Sequence, residues 1–389
     1  MTENTKKNPA KDLLIGLFVS IFSFLLVIFI FEIGLKLIGF STKHLFPKEF
    51  ISKDGHFHSL APDVDGRHTL AEFDISFKTN SIGLRDKEYP HKSTETLRML
   101  VLGDSFTMGW GVEQDEVFME VFEKKINEDK IFDCNIEVLN AGVYGYGTVD
   151  ELLFLQKMGL KLKPDIILLT FFIGNDIFEN LDAYRKFFDR KKSEYPIKKS
   201  FSIWCVRFIR EHSSLYNFLM ARLRNMKVFR SFYNKQTLLF NAGEPRDEIE
   251  LYEKSRQESI SDYWKVTKDI ILKIKRLCDE NQIKLILMTI PSKVQVYNEQ
   301  WTEISKKLEI SEDSDIELPD KILEKLCIDN GIYFYPLLDQ LQASGIENKD
   351  LYFKLDRHWK PYCHKIVGNY LYDYLTNKKI IFCPTIKNN

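Results

Sequence analysis

From Arg98 onward the chain repeats one pattern: a short apolar run, a turn, and an amphipathic stretch. Met99–Leu102 is the first run and ends at Gly103, and Glu116–Ile126 follows with apolar residues at helical spacing. Ile136–Leu139 is the second, followed by a Gly-rich turn and a helical stretch near Val149–Met158. Ile166–Phe172 opens after Pro164, Ile283–Ile290 stops at Pro291, and Ile332–Tyr335 stops at Pro336. A continuous apolar run without polar alternation suits a strand buried on both faces. Strands that alternate with helices form a parallel sheet covered on both sides.

In open sheets of this kind, binding sites form outside the carboxyl ends of the strands. Four stations fall there or in nearby loops. The first is Gly103-Asp104-Ser105-Phe106-Thr107. A Ser at a strand-to-helix turn exposes its hydroxyl, which becomes a nucleophile when a base stands beside it. The plainer reading is a helix cap, because Ser and Asp both cap well. The second is the glycine-rich turn Asn140 to Thr148, where Gly142, Gly145 and Gly147 let backbone N–H groups approach a ligand. No Gly-Lys-Ser or Gly-Lys-Thr follows, so it is not a phosphate loop. The third is Gly174-Asn175-Asp176, whose Asn amide is a donor for a developing oxyanion or else an ordinary turn residue. The fourth is Asp356-Arg357-His358-Trp359, before a helix opened by Pro361. His is the usual general base near neutral pH, and a nearby carboxylate can fix its tautomer.

Taken together and in chain order, these stations resemble the SGNH hydrolases, also called GDSL-type esterases and lipases. The resemblance covers residues 98–176 and 350–376. It implies a serine esterase on a three-layer α/β/α fold, with a flavodoxin-like parallel sheet of about five strands. It implies Ser105 as nucleophile, His358 as base and Asp356 as its orienting carboxylate. The oxyanion hole would use the N–H groups of Ser105 and Gly145 and the Asn175 amide, with Gly142 a less favoured choice than Gly145. No metal or organic cofactor is implied. The chain departs from the commoner Asp-x-x-His spacing. Its Asp-x-His-Trp block is similar to that of polysaccharide O-acetyltransferase-like members, and Cys363 stands where a Gly often precedes the second His, here His364. His364 is a competing base, ranked lower because it lies inside the helix. Two further readings stay open: an O-acyltransferase acting on a surface glycan, and a non-catalytic membrane-tethered binding protein.

The other strong signal is Leu13–Phe31, an uncharged run of 19 residues. As a helix it is about 28 Å long, close to the hydrocarbon thickness of a bilayer. It lacks the short apolar region and small-residue site of a cleaved signal. One transmembrane anchor is therefore expected at 13–31, after a tail at 1–12. Lys6, Lys7 and Lys11 precede the run while Lys36, Lys43 and Lys48 follow it, which weakly favours an inside N-terminus and a catalytic domain in the periplasm or outside the cell.

Residues 44–97 read as a small lead-in with one short strand around Phe73, Ile75 and Phe77, and with turn chemistry at Asn80–Gly83. Residues 98–380 form the expected catalytic domain. It carries an insertion at about 177–248, where Arg185–Lys235 holds 14 Lys and Arg against 3 Asp and Glu. Phe187, Phe188, Trp204, Phe208, Tyr216, Phe229, Phe232 and Tyr233 are interleaved with that charge. Such a segment is a solvated lid or a surface for anionic lipid or polymer. No nucleic-acid motif accompanies it. The whole-chain net charge of −1 gives no preference. The expected partners are an acyl-ester substrate, such as a surface glycan, and membrane lipid through the anchor. None of the six cysteines forms a Cys-x-x-Cys pair. Cys278 and Cys327 read as buried thiols, and a Cys363–Cys383 bridge stays open.

Overall fold

A computed structural model describes residues 9–37, 46–54, 57–70, 72–89, 91–188, 209, 213–216, 219, 245–308, 310–347, 350–354 and 356–383. Two compact units divide the chain: residues 1–45 with 196–236, and residues 46–195 with 237–389.

In the first unit, helix α1 runs from Pro9 to Leu37. Its stretch Leu13–Leu37 is long and apolar enough to cross a membrane. The helix thus continues past Phe31 through Glu32 and Lys36, which pair at 3.0 Å one turn apart. The Glu32 carboxylate also accepts from the N–H groups of Ser214 (2.8 Å) and Leu215 (2.9 Å) and from the Ser213 hydroxyl (3.0 Å). A short piece of the insertion is thereby tied to the polar end of the apolar helix. Trp204, Phe208, Phe229, Phe232 and Tyr233 lie outside the described residues, as does Cys205.

The second unit opens with two antiparallel hairpins rather than one strand. Strand β1 (Ile51–Asp54) pairs with β2 (Phe57–Leu60), and β3 (Asp65–Thr69) pairs with β4 (Asp74–Lys78). β4 shows the expected alternation, with Ile75 and Phe77 buried. β3 reads Asp-Gly-Arg-His-Thr and buries only His68, so no apolar alternation announces it.

Five parallel strands then form the central sheet: β5 (Thr96–Gly103), β6 (Asn135–Gly142), β7 (Ile166–Phe172), β8 (Lys284–Ile290) and β9 (Tyr333–Pro336). Their order is β6-β5-β7-β8-β9, with every neighbouring pair parallel. The bounds of β7 are those expected from its apolar run. β9 ends the sheet, where Pro336 costs no central ladder bond. Side chains of β5 alternate between two cores. Leu97, Met99 and Val101 pack with α3 (Phe118–Glu128), Leu338–Glu347 and α8 (Pro361–Asn377). Leu100 and Leu102 pack on the opposite side, with α4 (Thr148–Lys157), α5 (Asp176–Phe187), α6 (Ser261–Glu280) and α7 (Leu318–Asp329). The result is a three-layer α/β/α domain.

Cys134, just before β6, bonds to Cys383 near the C-terminus, with their Cα atoms 5.5 Å apart. This replaces the Cys363–Cys383 pairing. Cys363, in the first turn of α8, is a free thiol with its side chain in the core. Cys278 and Cys327 are buried thiols.

Candidate active site

Ser105 is the first residue of α2 (Ser105–Met108), immediately past the end of β5. The capping role belongs to its neighbour: the Asp104 carboxylate accepts from the Phe106 N–H at 2.8 Å. Complete burial raises the Asp104 carboxyl to about 6. With the cap supplied by Asp104, the Ser105 hydroxyl faces elsewhere, to His358 Nε2 at 2.6 Å.

His358 stands in a narrow loop. Tyr352 and Trp359 bridge across it in antiparallel fashion, and the Phe353 N–H donates to the His358 carbonyl at 3.0 Å. The fully buried Trp359 anchors the loop against Phe106, with rings 5.1 Å apart. Asp356 accepts from the His358 N–H at 2.9 Å and bonds to Nδ1 of the same imidazole. The two-residue spacing lets one carboxylate hold both the backbone and the ring of His358. Burial pushes the Asp356 carboxyl up. The charge and hydrogen bonds of His358 and the Trp110 N–H outweigh it and hold the carboxyl at about 2. An imidazole placed between a carboxylate and a hydroxyl can accept the hydroxyl proton.

The donors expected on either side follow from topology. β6 and β7 are the two neighbours of β5, and Gly103 is in register with Gly142. The loops that follow β6 and β7 therefore flank Ser105. Gly145 has φ +75°, a left-handed conformation that glycine adopts without strain, and a Cβ there would meet open space. Its loop is held by the hairpin strand β2: the Tyr146 hydroxyl bonds to the His58 carbonyl, and His58 Nε2 lies 3.2 Å from the Tyr144 carbonyl. Gly142 has a different task. Its N–H donates to Asn140 Oδ1 at 2.9 Å, and a Cβ would fall 2.2 Å from the Met108 nitrogen. That glycine lets α2 sit on β6. Asn175 precedes α5, and its amide donates to Glu179 Oε1 at 3.1 Å.

No family model matches the chain, and no curated protein matches it. Solved structures similar to it include the acetyl xylan esterase AlAXEase, 15% identical with a TM-score of 0.40 over 72% of this chain and 100% of that one. The psychrotrophic esterase EstA from Pseudoalteromonas sp. is 11% identical, with a TM-score of 0.37 over 73% of this chain and 99% of that one. A lipase/acylhydrolase from Enterococcus faecalis is 14% identical, with a TM-score of 0.36 over 72% and 96%. Likeness this distant carries no argument about activity, so the chemistry of this chain rests on its own side chains.

His364 is removed as a competing base. It is fully buried, its Nδ1 accepts from the Phe118 N–H at 3.3 Å, and burial lowers its pKa to about 3. It serves the start of α3. Two residues that the sequence did not single out bear on the site, one by contact and one through the turn that carries the first. Trp110 donates its indole N–H to Asp356 Oδ2 at 3.1 Å and lies against the His358 ring. Arg85, fully buried, donates to the carbonyls of Met108 (3.0 Å), Gly109 (2.5 Å) and Val112 (2.7 Å), and so shapes the turn that carries Trp110. An aromatic five positions after the Ser was the only available signal for the first. Among the described residues no group of three or more His, Cys, Asp or Glu side chains is placed to hold a metal ion.

Proposed function

We propose that the chain is a serine ester hydrolase of the SGNH type, tethered by α1 and acting outside the cytoplasm on an acylated glycan or lipid. The observation that carries this reading is the continuous contact from Ser105 Oγ to His358 Nε2 and from His358 Nδ1 to Asp356. In the reaction, Ser105 Oγ attacks the ester carbonyl while His358 takes its proton. Asp356 stabilises the imidazolium that results. The carbonyl oxygen, now carrying the charge, is met by the N–H groups of Ser105 and Gly145 and by the Asn175 amide. His358 then protonates the leaving alcohol, and water, deprotonated in turn by His358, releases the acyl group from Ser105.

The location rests on two supports. Disulfides persist in oxidising compartments, and Cys134–Cys383 joins the start of β6 to the C-terminal segment. Lysines ahead of α1 favour an inside N-terminus. Phosphatase and reporter fusions after Phe50 test it; activity of a cytoplasmic reporter there overturns the orientation. For the reaction, a fluorophosphonate probe should label the wild-type protein and not Ser105→Ala. Competition with acceptor sugars then separates water from a sugar as the final acceptor. Acyl label arriving on sugar replaces the hydrolase by a transferase that uses the same residues.

A further inference from the structure

The loop that carries Asp356 and His358 is gripped by a residue from the hairpin ahead of the sheet. Glu72 lies in the turn between β3 and β4. Its Oε1 accepts from the Lys354 N–H at 2.7 Å and its Oε2 from the Asp356 N–H at 2.8 Å, across 282 and 284 residues of sequence. The adjacent Phe73 ring packs on Phe353 of the same loop at 5.5 Å and on Trp110 at 6.2 Å. From the other side, Lys293 Nζ donates to the Phe353 carbonyl at 2.9 Å. The loop is therefore held at Phe353, Lys354 and Asp356, immediately before His358.

We propose that Glu72 is a positioning residue for the hydrolysis, acting through the backbone of Asp356. The proposal rests on the reading of Ser105, His358 and Asp356 given above. Its chemistry is specific to a carboxylate. Here each N–H meets its own carboxylate oxygen, and hydrogen bonds to a charged acceptor are stronger than neutral ones. A glutamine offers one acceptor and turns an NH2 toward the second N–H, so it cannot close both bonds. Fixing the Asp356 nitrogen fixes the carboxylate that orients His358. Displacing such a group by about 1 Å costs on the order of 100-fold in rate. The hairpins at 51–78 are then part of the active centre, not a lead-in to it.

The test uses full-length protein in detergent micelles, with p-nitrophenyl acetate as substrate and a fluorophosphonate as label. Glu72→Gln should lower kcat by on the order of 10–100-fold with KM within about threefold, the pattern of a group needed only in the transition state. Glu72→Asp keeps two acceptor oxygens and should recover part of that loss. Amide hydrogen exchange in a peptide covering 350–360 should quicken in Glu72→Gln while a peptide from β5 is unchanged. Wild-type kcat in Glu72→Gln, or an unchanged exchange rate in the loop, overturns the proposal. Failure of the wild-type protein to take the label instead overturns the reading of Ser105, and loop exchange then judges the clamp by itself.

Discussion

Trp110 touches two members of the Ser105–His358–Asp356 line at once. Its indole N–H reaches Asp356 Oδ2 at 3.1 Å, and its ring plane lies 26° from that of His358 with centroids 5.1 Å apart. The remaining Asp356 oxygen is committed to His358. Trp110→Phe keeps a ring beside the imidazole and removes the donor. A hydrogen bond to a charged group is worth about 1.5–3 kcal/mol, so kcat should fall about 10–100-fold. Steady-state kinetics on p-nitrophenyl acetate measures this; wild-type turnover in Trp110→Phe shows that the indole N–H is idle.

Asn175 sits beyond β7, the strand next to β5, and Glu179 holds its amide by one hydrogen bond. An amide has two N–H bonds, and the proposed mechanism gives the second to the oxyanion. Asn175→Ala should cost about 2.7–4 kcal/mol of transition-state stabilisation, on the order of 100–1000-fold in kcat, with KM little changed. A loss confined to KM places Asn175 in substrate binding instead.

Arg85 is a buried guanidinium that donates to three carbonyls of the turn that presents Trp110 and, at 3.3 Å, to the Ser76 carbonyl of β4. Burial lowers its pKa to about 10, and the charge of Glu113 opposes that shift, so it stays charged at neutral pH. Arg85→Ala takes the guanidinium donor away from these buried carbonyls, of which Gly109 keeps a bond from the Val112 N–H. The expected cost is more than about 3 kcal/mol of stability, read as a lower denaturant midpoint. A midpoint unchanged from wild type contradicts the packing described for this turn.

Much of this was legible before the structure. The apolar runs located all five strands of the sheet; for the first four the reason is that a strand buried on both faces needs no polar alternation to mark it, while the edge strand β9 is partly exposed. Ser105, His358 and Asp356 were legible as candidates because they stand at turns and loops, and the structure brings the three into contact. The hairpin strand β3 was not legible. Its residues are polar, and what makes it a strand is pairing with β4 and the burial of one histidine, His68. Glu72 and Trp110 were missed for a related reason. Each acts on a loop more than 240 residues distant, and no local spacing records such a contact. The cysteine pairing was left open by the sequence; Cys383 bonds to Cys134, 249 residues away, while Cys363 is buried in α8.

Asp104 makes a pH-dependent contribution of definite sign. Burial raises its carboxyl from 3.8 to about 6. Between those values the folded chain keeps a proton that the unfolded chain has lost, so stability falls as pH rises through this window and the penalty is complete above about 6. Asp104→Asn keeps an acceptor for the Phe106 N–H and cannot ionise. It should be more stable than wild type at pH 8, and the gap should shrink toward pH 4. Thermal melts at both pH values decide it; a gap of equal size at both means that Asp104 does not titrate as described.

The central claim is that Ser105 Oγ is a nucleophile activated by His358. The rate of covalent fluorophosphonate labelling at Ser105, followed by peptide mapping across pH 5–9, measures this most directly. The account predicts a single labelled peptide containing Ser105, a rate that climbs with deprotonation of one group, and loss of labelling in both Ser105→Ala and His358→Ala. Labelling at full rate in His358→Ala, or on a peptide without Ser105, contradicts it.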